Sequence, residues 1–194
     1  AVAFGFAIAL GSANAFAQQQ QLPQDAPFRH LGVATCAGST CHGAIEPFRQ
    51  SNVMQNEYIT WTQKDKHAAA YKVLLNERSQ RIAKNLGLAK PAHESPECLN
   101  CHAHFPAEDK RGPQFQLSDG VACEACHGGA ANWLGPHVAN RGNHAENVQN
   151  GLYPTEDPVK RAKLCLACHF GDLSKTDKFV THRIMGAGHP RHRA

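Results

Sequence analysis

Eight cysteines stand in four pairs, and a histidine follows the second member of every pair. Three pairs are tight: "CLNCH" (Cys98, Cys101, His102), "CEACH" (Cys123, Cys126, His127) and "CLACH" (Cys165, Cys168, His169). The first, "CAGSTCH", holds Cys36 and Cys41 with four residues between them and ends on His42. With 13 His in 194 residues, chance would put His after all four pairs roughly twice in a hundred thousand trials. Disulfides, the usual reading of eight cysteines in an exported chain, give no reason for that histidine. Zinc sites use similar pairs but do not need His directly after the second Cys. Attachment of c-type haem does need it: the two thiols add across the vinyl groups, and the adjacent imidazole lies under the iron.

The wide pair keeps the part of the motif that places the imidazole, because His42 still follows Cys41 directly. The two extra residues fall within "AGST", whose small, turn-prone side chains can bulge outward. Four covalently bound haem c groups are therefore expected. Their thioether bonds fall to Cys36, Cys41, Cys98, Cys101, Cys123, Cys126, Cys165 and Cys168, and their proximal iron bonds to His42, His102, His127 and His169.

Nine histidines remain for the far side of the irons, against only Met54 and Met185 as thioether donors, so histidine caps are expected. His67, His137, His182 and His189 are the distal candidates. His67 lies beside Ala68, Ala69 and Ala70, whose small side chains leave room for a flat ring. His137 follows the third motif by a glycine-rich loop and suits a neighbouring iron. His182 and His189 flank Gly186 and Gly188, which let the chain pass close to a ring. His30, His93 and His104 are reserves, while His144 and His192 are expected to face solvent.

The elements that must position these groups are mainly helical. "WTQKDKHAAAYKVLLNERSQRIAKNLG" predicts a helix from about Trp61 to Leu86, stopped by Gly87. His67, Tyr71, Leu74, Leu75, Ile82 and Leu86 fall on one face of it. Asp157 and Pro158 are a helix start before the fourth motif, putting Cys165 and Cys168 one turn apart. A short helix is expected from Asp177 to Met185. With 7% aromatic residues, 16 Gly and 11 Pro, a large aromatic core is not expected. The fold class is mostly α with extensive loops and little or no β-sheet, packed around the haems.

Residues 1–17, apolar, uncharged and closing on alanines, read as an export signal or a retained N-terminal segment. Residues 18–29 are a flexible lead-in, and 30–194 form the haem-bearing domain. Neither a basic stripe with interleaved aromatics nor an apolar run of membrane-spanning length occurs, so nucleic acid and a stable transmembrane span are not expected. The formal charge is +4. About two propionates per haem would bring it near zero with ferric irons and to about −4 with ferrous ones. Arg183, Arg191 and Arg193 are candidates to pair with propionates.

From "HLGVATCAGSTCHG" through "DKHAAAY", "ECLNCHA" and "DGVACEACHGG" to "VTHRIMGAGHPR", the chain resembles the multihaem cytochromes of the cytochrome c-554 family. The wide first motif departs from that family's commonest pattern. The resemblance implies electron transfer through closely packed, mostly bis-histidine haems, with redox proteins or other copies of the chain as partners. An exported electron relay is the leading expectation, periplasmic or at the cell surface, and stacking of copies into a conductive filament is one form of it. The rival is a haem enzyme, acting on a small nitrogen oxide or hydroxylamine at a five-coordinate iron.

Overall fold

The computed structural model describes residues 21–139, 143–175 and 178–190. The leader-like segment 1–17, Asp177, Arg191, His192 and Arg193 lie outside the described residues. Short helices joined by long loops make up the described chain: α1 (Glu57–Lys64), α2 (Ala70–Val73), α3 (Glu77–Leu86), α4 (Pro96–His102), α5 (Cys123–His127), α6 (Leu134–Ala139), α7 (His144–Gln149), α8 (Pro158–His169) and α9 (His182–Gly186). Among the described residues, β pairing is confined to two isolated bridges, His30 with Arg111 and Gly171 with Phe179. The fold is mostly α, as the composition implies. No helix among the described residues is long and apolar enough to cross a membrane.

The polypeptide buries little apolar bulk by itself. Leu74, Ala83, Ala92, Leu99 and Ala103 form a small cluster where α3 and α4 meet, with Tyr71, Leu88 and Phe105 packed around it. Alanine dominates the buried apolar set, while Leu166, Phe170 and Leu173, on or just after the fourth motif's helix, are exposed. Burial of apolar area is the main favourable term in folding. A core this thin fits a chain whose centre is completed by bulky covalent groups.

The long helix expected from Trp61 to Leu86 is instead three helices. Asp65 leaves α1 in an extended conformation, and its carboxylate accepts from the backbone N–H of His67 at 3.0 Å. Asn76 repeats the device, accepting from Ser79 N–H at 2.8 Å and capping α3. Asp and Asn side chains compete for backbone donors in this way, which favours caps over helix interiors. The helical face inferred across the breaks is corrected accordingly: Leu74 and Ile82 are buried, but Leu75 is 53% exposed. Gly87 does end α3, in the left-handed conformation that glycine tolerates without a Cβ penalty.

The start of α8 is built as the residues imply. Asp157 accepts from Val159 N–H at 2.9 Å and from Lys160 N–H at 3.1 Å, with Pro158 at the first helical position. The C-terminal helix is shorter than expected. It begins at His182, where Thr181 accepts from Ile184 N–H at 3.2 Å.

Candidate haem centres

In the three tight motifs, cysteines and histidine lie within α4, α5 and α8, so the first Cys and the His are four residues apart on one helix. Helical N–H to C=O bonding spans that interval and holds the imidazole over the first cysteine. The wide motif reaches the same relation without a helix. Its four-residue insert folds into a turn, with Cys41 N–H bonded to Gly38 C=O at 2.9 Å. His42 N–H then bonds to Cys36 C=O at 3.2 Å, a six-residue counterpart of the helical bond. Gly43 closes the turn, where a Cβ would lie 2.0 Å from the Ala37 carbonyl oxygen.

All eight cysteines are free of disulfides. The Cys36 thiol lies beside that of Cys123, and the Cys101 thiol beside that of Cys168. In each couple, ionising one sulfur opposes ionising the other. Burial, with the neighbouring Cys165 and Cys168, pushes the Cys126 thiol up to about 11. The first motif therefore neighbours the third, the third the fourth, and the fourth the second.

Three imidazole pairs recur at one spacing. The rings of His42 and His137 lie 6.2 Å apart, nearly parallel at 15°. Those of His67 and His169 are 6.0 Å apart at 89°, and those of His102 and His189 are 6.0 Å apart at 70°. Each pair joins a different motif's histidine to a histidine outside the motifs. A metal–imidazole bond of about 2 Å, and a ring centre about 1.1 Å from its nitrogen, put two trans ligands about 6.2 Å apart. Edge-to-face rings can also pack at this distance, but ordinary packing does not select one motif histidine for each pair. The residues fit an iron between each pair.

The other ring nitrogen of four of these six imidazoles is held. His42 Nδ1–H donates to Glu57 Oε2 at 2.9 Å and His67 Nδ1–H to Asp65 Oδ1 at 2.9 Å. His102 Nδ1–H donates to Ala70 C=O at 3.1 Å, and His189 Nδ1–H to Pro190 C=O at 2.8 Å. A carbonyl or an ionised carboxylate can only accept, so Nδ1 carries a proton and Nε2 is the nitrogen turned away from that partner. Burial alone would raise the Glu57 carboxyl, but the bond from His42 and backbone N–H groups hold it below the usual range. Metal-bound histidines are commonly oriented this way by second partners. None of Glu57, Asp65 or Ala70 was foreseen as such a partner. Only Asp65, two residues before His67, offered a local cue.

Each outer histidine has its own support. His67 sits in a turn tied to the third motif's approach, because Val121 N–H bonds to His67 C=O at 3.0 Å. His137 lies on α6 with the buried Trp133 edge-on at 5.7 Å. The turn before His189 is pinned to α3: Arg78 donates to Gly188 C=O at 2.9 Å and Asn85 to Ala187 C=O at 3.0 Å. Arg183, a candidate for propionates, donates to Leu86 C=O at 2.7 Å.

The remaining candidates are placed differently. His182 is exposed at the start of α9 and is not set opposite a motif histidine. His93 lies 3.4 Å from Gln80 and 3.6 Å from Glu94. His30 and His104 are fully buried against each other, 4.5 Å apart, too close for trans ligands. His144 bonds with Glu156 at 2.7 Å. Among the described residues no ring stands opposite His127. Burial, then His42 and His137 nearby, lower its pKa.

Gly120 gives this arrangement a testable hinge. Its φ is +72°, and a Cβ there would meet the His67 carbonyl oxygen at 2.6 Å. Gly120→Ala is expected to cost about 1–3 kcal/mol through backbone strain and to loosen His67. Thermal unfolding of the haem-loaded variant checks it; an unchanged midpoint contradicts the contact.

Residues 35–128 match the family model described as cytochrome c554 and c-prime, a span holding all but Cys165, Cys168 and His169 of the motif residues. No curated protein and no solved structure matches the chain.

Proposed function

We propose that this chain, whose residues 35–128 match the cytochrome c554 and c-prime family model, relays electrons through four covalent haem c groups. That match supports a c-type cytochrome with covalently attached haem and redox partners. The count of four rests on the four Cys–His motifs, including the turn that brings His42 back to Cys36. The observation that carries the relay is the set of three opposed imidazole pairs at 6.0–6.2 Å. Haem supplies an iron that cycles between ferric and ferrous states.

The chain's own residues do the rest. His42, His102 and His169 would each hold an iron, and His137, His67 and His189 would join them, His137 with His42, His67 with His169 and His189 with His102. Glu57, Asp65 and Ala70, accepting from Nδ1 of His42, His67 and His102, would orient Nε2 of these three for binding and raise its basicity, which favours low potentials. The capped turn at Asp65 and the bonds from α3 to the turn before His189 would keep His67 and His189 in place as the iron changes charge. The thiol neighbours order the sites as first, third, fourth and second motif, a path along which electrons pass. The leader-like residues 1–17 support export to the periplasm or cell surface. A redox protein is the expected partner, and copies stacked end to end would extend the same path into a filament visible in micrographs.

A second reading rests on His127, opposite which the described residues place no imidazole. A small nitrogen oxide or hydroxylamine could bind there, making the third site catalytic. Steady-state assays of the reduced protein separate the two. The relay predicts rapid reduction of a small soluble cytochrome and only slow consumption of nitrite, nitric oxide or hydroxylamine. Turnover of one of these as fast as electron transfer to the cytochrome overturns it.

A further inference from the structure

A separate cluster of ligand-forming side chains lies outside the four motifs' paired imidazoles. His30, His104 and Glu124 are 0%, 1% and 3% exposed, and their nearest ligand atoms all fall within 4.8 Å of one another. Both ring nitrogens of His30 and Nε2 of His104 are buried without a hydrogen-bond partner. A buried imidazole left unpartnered costs free energy, so the cluster is unfinished by protein atoms alone. The rings meet nearly at right angles, 82°, with centres 4.5 Å apart. Two imidazoles on adjacent positions of one metal have centres about 4.5 Å apart at a right angle and about 5 Å apart at a tetrahedral one. This pair is spaced for neighbouring positions on one ion, whereas the other three are spaced for opposite positions.

The cluster is rigidly built. His30 is fixed through its backbone, its N–H to Lys110 C=O at 2.9 Å and its C=O to Gly112 N–H at 2.7 Å. His104 N–H bonds to Gly120 C=O at 2.7 Å. The Glu124 carboxylate accepts from Leu31 and Ala130 N–H at 2.8 Å each and from Gly32 N–H at 2.7 Å. Three amide donors orient it and leave lone-pair capacity to spare. Phe115 closes one side, 5.2 Å from the His104 ring. Two cations are near: Lys110 influences His30, and Arg111 influences His104. Lys110 is turned to Ala26 C=O and Arg111 to Pro106 C=O.

We propose that His30, His104 and Glu124 bind one non-haem divalent ion of the zinc class. Two imidazoles and a carboxylate select such an ion over magnesium or calcium, which prefer all-oxygen shells. The ion ties together the segment before the first motif, the loop after the second and the helix of the third. Its role is structural, since the cluster is closed to solvent.

Metal analysis of the haem-loaded protein tests this without relying on the electron-relay reading. After equilibration with zinc and removal of loose metal on a chelating resin, about one zinc per chain should remain beside the haem iron. His104→Gln, which keeps the side chain's bulk, should lose that zinc and keep its haem. Zinc absorption spectroscopy of the unsubstituted protein should show two imidazoles in the shell, a readout that survives if the variant fails to fold. No retained zinc, zinc retained equally by the variant, or a shell without imidazole overturns the proposal.

Discussion

His67→Ala is expected to convert one haem from low-spin to high-spin and to raise its potential. The imidazole it removes stands 6.0 Å from that of His169 and is held by Asp65 on both its backbone N–H and Nδ1. Among the described residues no second histidine is placed to substitute: His182 is exposed on α9 and His93 is engaged beside Gln80. Losing one strong donor weakens the ligand field at a single iron and favours its reduced form. His182→Ala is the matched control and should leave the spectrum unchanged. An unaltered visible spectrum in His67→Ala would return this residue to a surface turn beside Asp65.

The double substitution Cys36→Ser with Cys41→Ser is expected to lower the intact mass by one haem relative to the unsubstituted protein. The wide motif keeps its geometry through the Cys41–Gly38 turn and the bond from His42 N–H to Cys36 C=O. Removing both thiols leaves the turn but no bond-forming groups. Because the apolar core is small and rich in alanine, losing one covalent group should also lower the unfolding temperature well beyond a surface substitution's effect. If the unsubstituted chain carries only three haems and the double variant the same three, the first motif is not an attachment site.

Much of the site could be read from residue types and spacing. The four motifs follow from Cys and His positions alone, because the chemistry demands contiguous atoms. His67, His137 and His189 were singled out for small neighbours, a glycine-rich approach and glycine hinges, and each stands opposite a motif histidine. His182 carried the same local cues, yet it is exposed at the start of α9, where the next residue, Arg183, bonds to the distant Leu86 C=O. The broken helix at Asp65 and Asn76 shows a local rule overlooked: both are cap residues inside an apolar repeat. Glu124 was hidden because its partners, at residues 30–32 and 130, are brought together only by the fold.

The most direct test is electron paramagnetic resonance of the oxidised, haem-loaded protein. Near-parallel imidazoles split the iron d orbitals that they overlap, whereas near-perpendicular ones leave them almost degenerate. The ring angles of 15°, 89° and 70° therefore predict three low-spin species: one rhombic, and two highly anisotropic with large g maxima. A spectrum with fewer than three low-spin irons, or with three rhombic ones alone, would contradict the pairing of His42 with His137, His67 with His169 and His102 with His189.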